Sequence, residues 1–133
     1  MKRELIREKT MQLVYQMDVS GDFDYKHHQL VEETEDVLKE PQARELLEAL
    51  AAHIEEIDAN LGENIRGWTV ERLPRIDLAI LRVALCEMLY IDAVPNGVAI
   101  NEAVNLAKKY GEDKSYAFIN SVLGKIDREI DHE

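Results

Sequence analysis

Apolar residues recur along this chain at intervals of three and four, and no stretch sustains the alternation of a half-buried strand. Ile6, Thr10, Leu13, Val14 and Met17 fall on one face and predict a helix from Arg3 to Val19, stopped by Ser20-Gly21. Asp22 to Tyr25 reads as a loop. A shorter helix carries Leu30, Val31, Thr34 and Leu38 and must stop before Pro41, which has no N–H to continue it. Pro41 suits the first turn of a third helix, whose stripe is Leu47, Leu50, Ile54, Ile57 and Leu61. Gly62 and Gly67 then loosen the chain, and Trp68 to Leu73 reads as one helical turn capped by Thr69.

Pro74 opens a central helix that runs through Tyr90. Its apolar residues, among them Ile76, Leu78, Ile80, Leu81, Val83, Leu85 and Met88, lie almost all round, so other helices must surround it. Arg82 and Glu87 interrupt it and are expected in buried structural pairs, Arg82 with Asp77 or a chain carbonyl. Val94-Pro95-Asn96-Gly97 has the composition of a turn. The next helix runs to Lys109 or Tyr110, with Asn101 as a cap at its start and Gly111 as a left-handed cap at its end. The last helix starts near Asp113 or Ser115 and turns Tyr116, Ile119, Val122, Leu123, Ile126 and Ile130 inward, with Asn120 bonded to a neighbouring backbone. Trp68 is expected as a core anchor. Short links and one apolar central helix predict an all-α antiparallel bundle.

The length of 133 residues fits one ordinary domain. The longest apolar stretch, Leu78 to Ile91, contains Arg82 and Glu87 and falls short of the ~20 residues of a membrane span. No export signal follows Met1, and a lone Cys86 among Leu85 and Met88 suits a buried, reduced thiol. A cytoplasmic protein without membrane contact is expected.

The net charge of −11 argues against a general polyanion binder, but the acid is unevenly spread. Between Asp22 and Asp58 twelve carboxylates face three cations, whereas Lys2, Arg3, Arg7 and Lys9 face only Glu4 and Glu8. Asn101 to Arg128 is also slightly basic. Any nucleic acid must therefore dock on a confined site.

Catalytic patterns are missing. His27, His28, His53 and His132 have no zinc-hydrolase spacing, and adjacent His27 and His28 diverge by about 100° on a helix. Glu32, Glu33, Glu35 and Asp36 read as a solvated helix face, not a cation site. Neither a phosphate loop nor a nucleophile elbow is present, and no metal or cofactor is expected. The amino-terminal cations are different. Arg3 and Arg7 are four apart on one face, where two guanidinium forks can engage phosphate oxygens. Tyr15, Tyr116 and Phe118 are aromatics near basic residues, a combination that can stack unpaired bases.

Several segments together resemble the NusB family. They are Arg7-Glu8-x-x-Met11-Gln12-x-Val14-Tyr15, the run Ile76 to Leu89, Val94-Pro95-x-x-Val98-Ala99-Ile100-Asn101-Glu102-Ala103-Val104 through Gly111, and Phe118-Ile119-Asn120-x-Val122-Leu123-x-Lys125-Ile126. The resemblance implies two small helical bundles around a buried central helix, with residues 1–133 forming a single NusB-like helical RNA-binding domain. It implies no enzyme activity. The implied function is transcription antitermination: binding boxA RNA of ribosomal RNA transcripts together with NusE, a small-subunit ribosomal protein, within the RNA polymerase antitermination complex. The resemblance assigns RNA contact to Arg7, Tyr15 and Phe118, and the charge pattern adds Lys2, Arg3, Lys9 and Lys114 to the expected RNA-binding set; Glu71 and Asp77 match acidic positions associated with NusE and RNA contact and are expected to meet NusE. Related domains also occur fused to RNA methyltransferases, but a chain of this length leaves no room for that domain, so the free-standing factor is expected. Two positions depart from the pattern: Glu4 and Leu5 stand where members often carry arginine, and Lys114 replaces an acid before Ser115. The thin arginine start and the acid excess favour an alternative, a homodimeric interaction protein with reduced RNA binding.

Overall fold

The computed structural model describes residues 1–30 and 32–130. Val31, assigned above to the second helix, and His132 lie outside the described residues. The elements in chain order are α1 (Arg3–Asp18), a 3₁₀ turn (Tyr25–His27), α2 (Glu32–Glu35) continuing as a 3₁₀ turn (Asp36–Lys39), α3 (Pro41–Glu63), a 3₁₀ turn (Val70–Arg72), α4 (Arg75–Tyr90), α5 (Asn96–Tyr110) and α6 (Ser115–Ile130). Among the described residues there is no strand.

The expected architecture is present. Helix α4 packs on α1 and α3, which touch each other, and on α5 and α6, which also touch each other, so two small bundles share it. Leu78, Leu81 and Leu85 are fully enclosed, as are Met11, Leu13 and Met17 of α1 and Leu47, Leu50, Ile57 and Leu61 of α3. Each such side chain contributes roughly 1.5–3 kcal/mol by leaving water. Cys86 is buried, its Sγ donating to the Leu46 carbonyl at 3.7 Å, and burial pushes its thiol up to about 12.

The buried charges pair as anticipated, but with other partners. Arg82 reaches Asp58 with two bonds of 2.9 Å and Asp18 with one of 2.8 Å, and lies 4.7 Å over the Phe23 ring. Asp77 is not its partner, because five residues along a helix bring a side chain about 140° away. Glu87 accepts from Arg7.

Element ends depart most from expectation. Gly21, at φ 73°, does end α1, its N–H bonding to the Met17 carbonyl at 3.1 Å. Thr69 makes no side-chain cap bond. Pro95 is the N-cap of α5 and its carbonyl accepts from Val98 and Ala99, so Asn96-Gly97 is helical and not a turn. Asn101 therefore sits exposed inside α5 rather than at its cap, and Asn120 is exposed on α6. Gly111 is extended at φ −85° and ψ 177°, not left-handed. The glycine is required by crowding: a Cβ there would stand 2.6 Å from Ser115 Cβ and 2.8 Å from the Ala107 carbonyl. Tyr116 (42% exposed) leaves the predicted core stripe of α6, and Trp68 (52% exposed) is no core anchor.

Candidate nucleic-acid interface

The basic start of α1 divides along its length, from an exposed first turn to a covered second one. Lys2 and Arg3 are exposed, and Lys9 is half-buried with its Nζ 4.0 Å from Asp36. Arg7 is different: only 6% exposed, it donates from Nε to Glu87 Oε2 at 2.9 Å. It lies one turn further into α1 than Arg3, where α4 covers the helix. The expectation that Arg7 contacts phosphate is thus corrected, since its guanidinium is committed to a buried carboxylate. Burial raises the Glu87 carboxyl, and the Arg7 charge and hydrogen bond oppose that rise.

A second face of α1 is fastened to the end of α5. Glu8 accepts from Lys109 Nζ and from the Tyr110 hydroxyl, and these bonds hold its carboxyl below the usual range. Gln12 Nε2 donates to the Tyr110 hydroxyl oxygen at 3.1 Å. Tyr15 continues the row Glu8, Gln12, Tyr15 at helical spacing and is 43% exposed. Glu8 and Gln12 thus lie beside the end of α5.

At the junction from α5 to α6, Ser115 ties three segments. Its Oγ accepts from the Glu112 N–H at 3.1 Å and donates to Asp77 Oδ2 at 3.0 Å. Asp77 is 3% exposed and its Oδ1 is buried without a hydrogen-bond partner. Burial pushes this carboxyl up, the Ser115 bond partly offsets that, and Glu112 adds to the rise. Asp77 lines a cleft of about 260 Å³ together with Trp68, Leu73, Pro74, Glu112, Lys114, Ser115 and Phe118, so two carboxylates and one cation stand in its wall.

The structure thus brings Lys114, Phe118 and Asp77 together, while Glu71 stands exposed on the 3₁₀ turn before α4. Asp77 was expected as an acidic contact for a protein partner; it is instead 3% exposed, beneath the cleft and bonded to Ser115. Lys2 and Arg3 line neither this cleft nor its neighbour. That neighbouring cleft, about 400 Å³, includes Arg66, Lys125 and Arg128, which the sequence left unassigned. Lys125 and Arg128 are three apart on a helix, a signal available in advance; Arg66 joins them only through the fold. Among the described residues no group of three His, Cys, Asp or Glu side chains gathers to hold a metal, and no helix is long and apolar enough to cross a membrane.

Comparison with known proteins agrees with this architecture. The NusB family pattern matches residues 4–128. A transcription antitermination protein NusB from Bacillus mycoides is 44% identical, covering 95% of this chain and 97% of its own length. One from Finegoldia magna is 38% identical, covering 95% and 93%. Among solved structures, T. maritima NusB superposes with a TM-score of 0.81 at 26% identity, covering 97% of this chain and 92% of that one. The structure of antitermination factors NusB and NusE in complex with dsRNA has the same fold, with a TM-score of 0.76 at 24% identity and 96% of each chain covered. Family pattern, close relatives and fold coincide over nearly the whole length, and the chain belongs to the NusB family.

Proposed function

We propose that this chain is a transcription antitermination factor that works by binding and not by catalysis. Its RNA is the boxA element of ribosomal RNA operon transcripts, and it binds together with NusE in the antitermination complex, in the cytoplasm. The observation that carries the reading is the family membership itself: relatives that share 38–44% of their residues with this chain are transcription antitermination proteins. The solved assembly of a NusB with NusE and dsRNA names the two partners to test.

The geometry supplies a compatible surface. Lys114 offers an exposed cation at the cleft and Phe118 an apolar face. Tyr15 adds an exposed ring, and Lys2 and Arg3 add cations at the start of α1. Glu71 is exposed and suits a basic protein partner such as a ribosomal protein.

A labelled single-stranded boxA RNA, titrated with the full chain in the presence and absence of NusE, tests the reading. Specific binding that strengthens with NusE is expected, and a scrambled RNA should bind more weakly. Equal affinity for both RNAs with NusE present would overturn it. Sedimentation of the free chain separates the alternative, a homodimer with reduced RNA binding, which requires a dimer that ignores boxA RNA.

A further inference from the structure

The cleft lined by Arg66, Trp68, Phe118, Ser121, Lys125 and Arg128 has no carboxylate in its wall. The chain has 27 acidic and 16 basic residues, so a cleft with three cations and no acid departs from its overall charge. Arg7 is held by Glu87, Arg75 and Arg82 by Asp18, and Lys109 by Glu8. Arg66, Lys125 and Arg128 make no ion pair or side-chain hydrogen bond among the described residues. Asp127, between them on α6, accepts from Asn96 of α5 and does not line the cleft.

Beside these cations stands the half-exposed Trp68. The chain reaches it through Gly67 at φ 75°, a left-handed turn after α3 that a side chain would strain. Trp68 and Phe118 each line both this cleft and the one holding Asp77 and Lys114, so the two are parts of one surface. Unpaired cations next to an exposed indole match the two demands of single-stranded RNA: phosphates to neutralise and base faces to stack.

We propose that the RNA path extends past Phe118 over Trp68 into this basic cleft, where Arg66, Lys125 and Arg128 contact phosphates and Trp68 stacks a base. The inference rests on the RNA-binding reading above. It places phosphate contacts on α6 and on the turn after α3, in addition to those at the start of α1.

The test is fluorescence anisotropy of the full chain with NusE and a labelled single-stranded boxA RNA, over a salt series. Replacing Arg66, Lys125 and Arg128 together by Gln should make the log affinity against log salt slope shallower by about 2, at ~0.7 per phosphate contact, and weaken binding on the order of ten-fold or more at low salt. Each single substitution should remove about 0.7 of slope, so the test survives a triple variant that folds poorly. Trp68→Ala should weaken binding about ten-fold with the slope unchanged. Lys26→Gln, an exposed cation on the first 3₁₀ turn, should change neither. A triple variant that binds the RNA with wild-type affinity and slope overturns the extended path and leaves the RNA-binding reading standing. So does one that loses NusE while keeping RNA, since the cleft then belongs to a protein. A wild-type chain that binds no RNA with NusE present overturns both.

Discussion

Arg7 and Glu87 illustrate how a single contact decides what a charged residue does. Both are nearly inaccessible and separated by 2.9 Å. Removing one partner leaves the other charged, buried and unpaired, which costs about 3–5 kcal/mol. Arg7→Ala should therefore lower the urea midpoint sharply, while Arg7→Met with Glu87→Leu should recover much of the loss. An Arg7→Ala protein with a wild-type midpoint and weakened RNA binding would return Arg7 to the surface role. Asp77 presents the opposite case, a buried carboxyl with one oxygen unused. Because burial raises its folded-state pKa, the neutral form is favoured on folding. Its contribution is fullest below the ordinary value of about 3.9 and is lost as pH rises through the raised value. Asp77→Asn keeps an acceptor for Ser115 and removes the titration. Its stability relative to wild type should increase from about pH 4 to about pH 7, measured by urea unfolding at each pH. A gap that is constant with pH would mean that Asp77 titrates normally.

At the scale of elements, the junction between α5 and α6 carries the tightest constraint. Gly111 has a φ that any residue can adopt, yet the space for a Cβ is filled by Ser115 and the Ala107 carbonyl. Gly111→Ala should push Ser115 away from Asp77 and cost about 1–3 kcal/mol by overpacking. Thermal melts of this variant beside Gly97→Ala, where the added Cβ meets nothing within 4 Å, make the comparison. Equal losses would show that crowding at Gly111 is relieved without cost. Helix α3 supplies a second case. Its backbone leaves helical geometry at His53, φ −123° and ψ 19°, with neither proline nor glycine beside it. The His53 ring stacks on Tyr90 at 4.0 Å and 8°, a contact with the end of α4 that a pattern of apolar spacing does not encode.

For the whole molecule, Arg82 is the point where α1, α3 and α4 are joined, through Asp18 and Asp58. Lysine keeps the charge but lacks the planar fork that serves both carboxylates. Arg82→Lys should cost about 1.5–3 kcal/mol, the contribution of a charged hydrogen bond. A thermal midpoint equal to wild type would mean that the three helices hold together without this pin. The overall charge of −11 has a bearing here too. It restricts polyanion binding to places where cations outnumber acids, and the cleft lined by Arg66, Lys125 and Arg128 is such a place.

The sequence by itself determined the helices, their order and the burial of α4. These follow from spacing: an apolar period near 3.6 fixes which face is buried, and an apolar residue on every face of α4 demands neighbours all round. It also determined the family, because the segments that carry the resemblance lie in the core helices and their junctions. It marked Lys114 and Phe118, which do share a cleft. Only the tertiary structure decided the rest. Whether Arg7 meets phosphate or Glu87 and whether Trp68 is core or surface depend on residues far off along the chain, and why Gly111 must be glycine depends on the angle at which α6 leaves α5 and brings Ser115 against it. The physical reason is that helical periodicity is a local property of the chain. The partner of a charge or the space beside a backbone atom is set by how helices pack, and a change of partner leaves the local pattern unaltered.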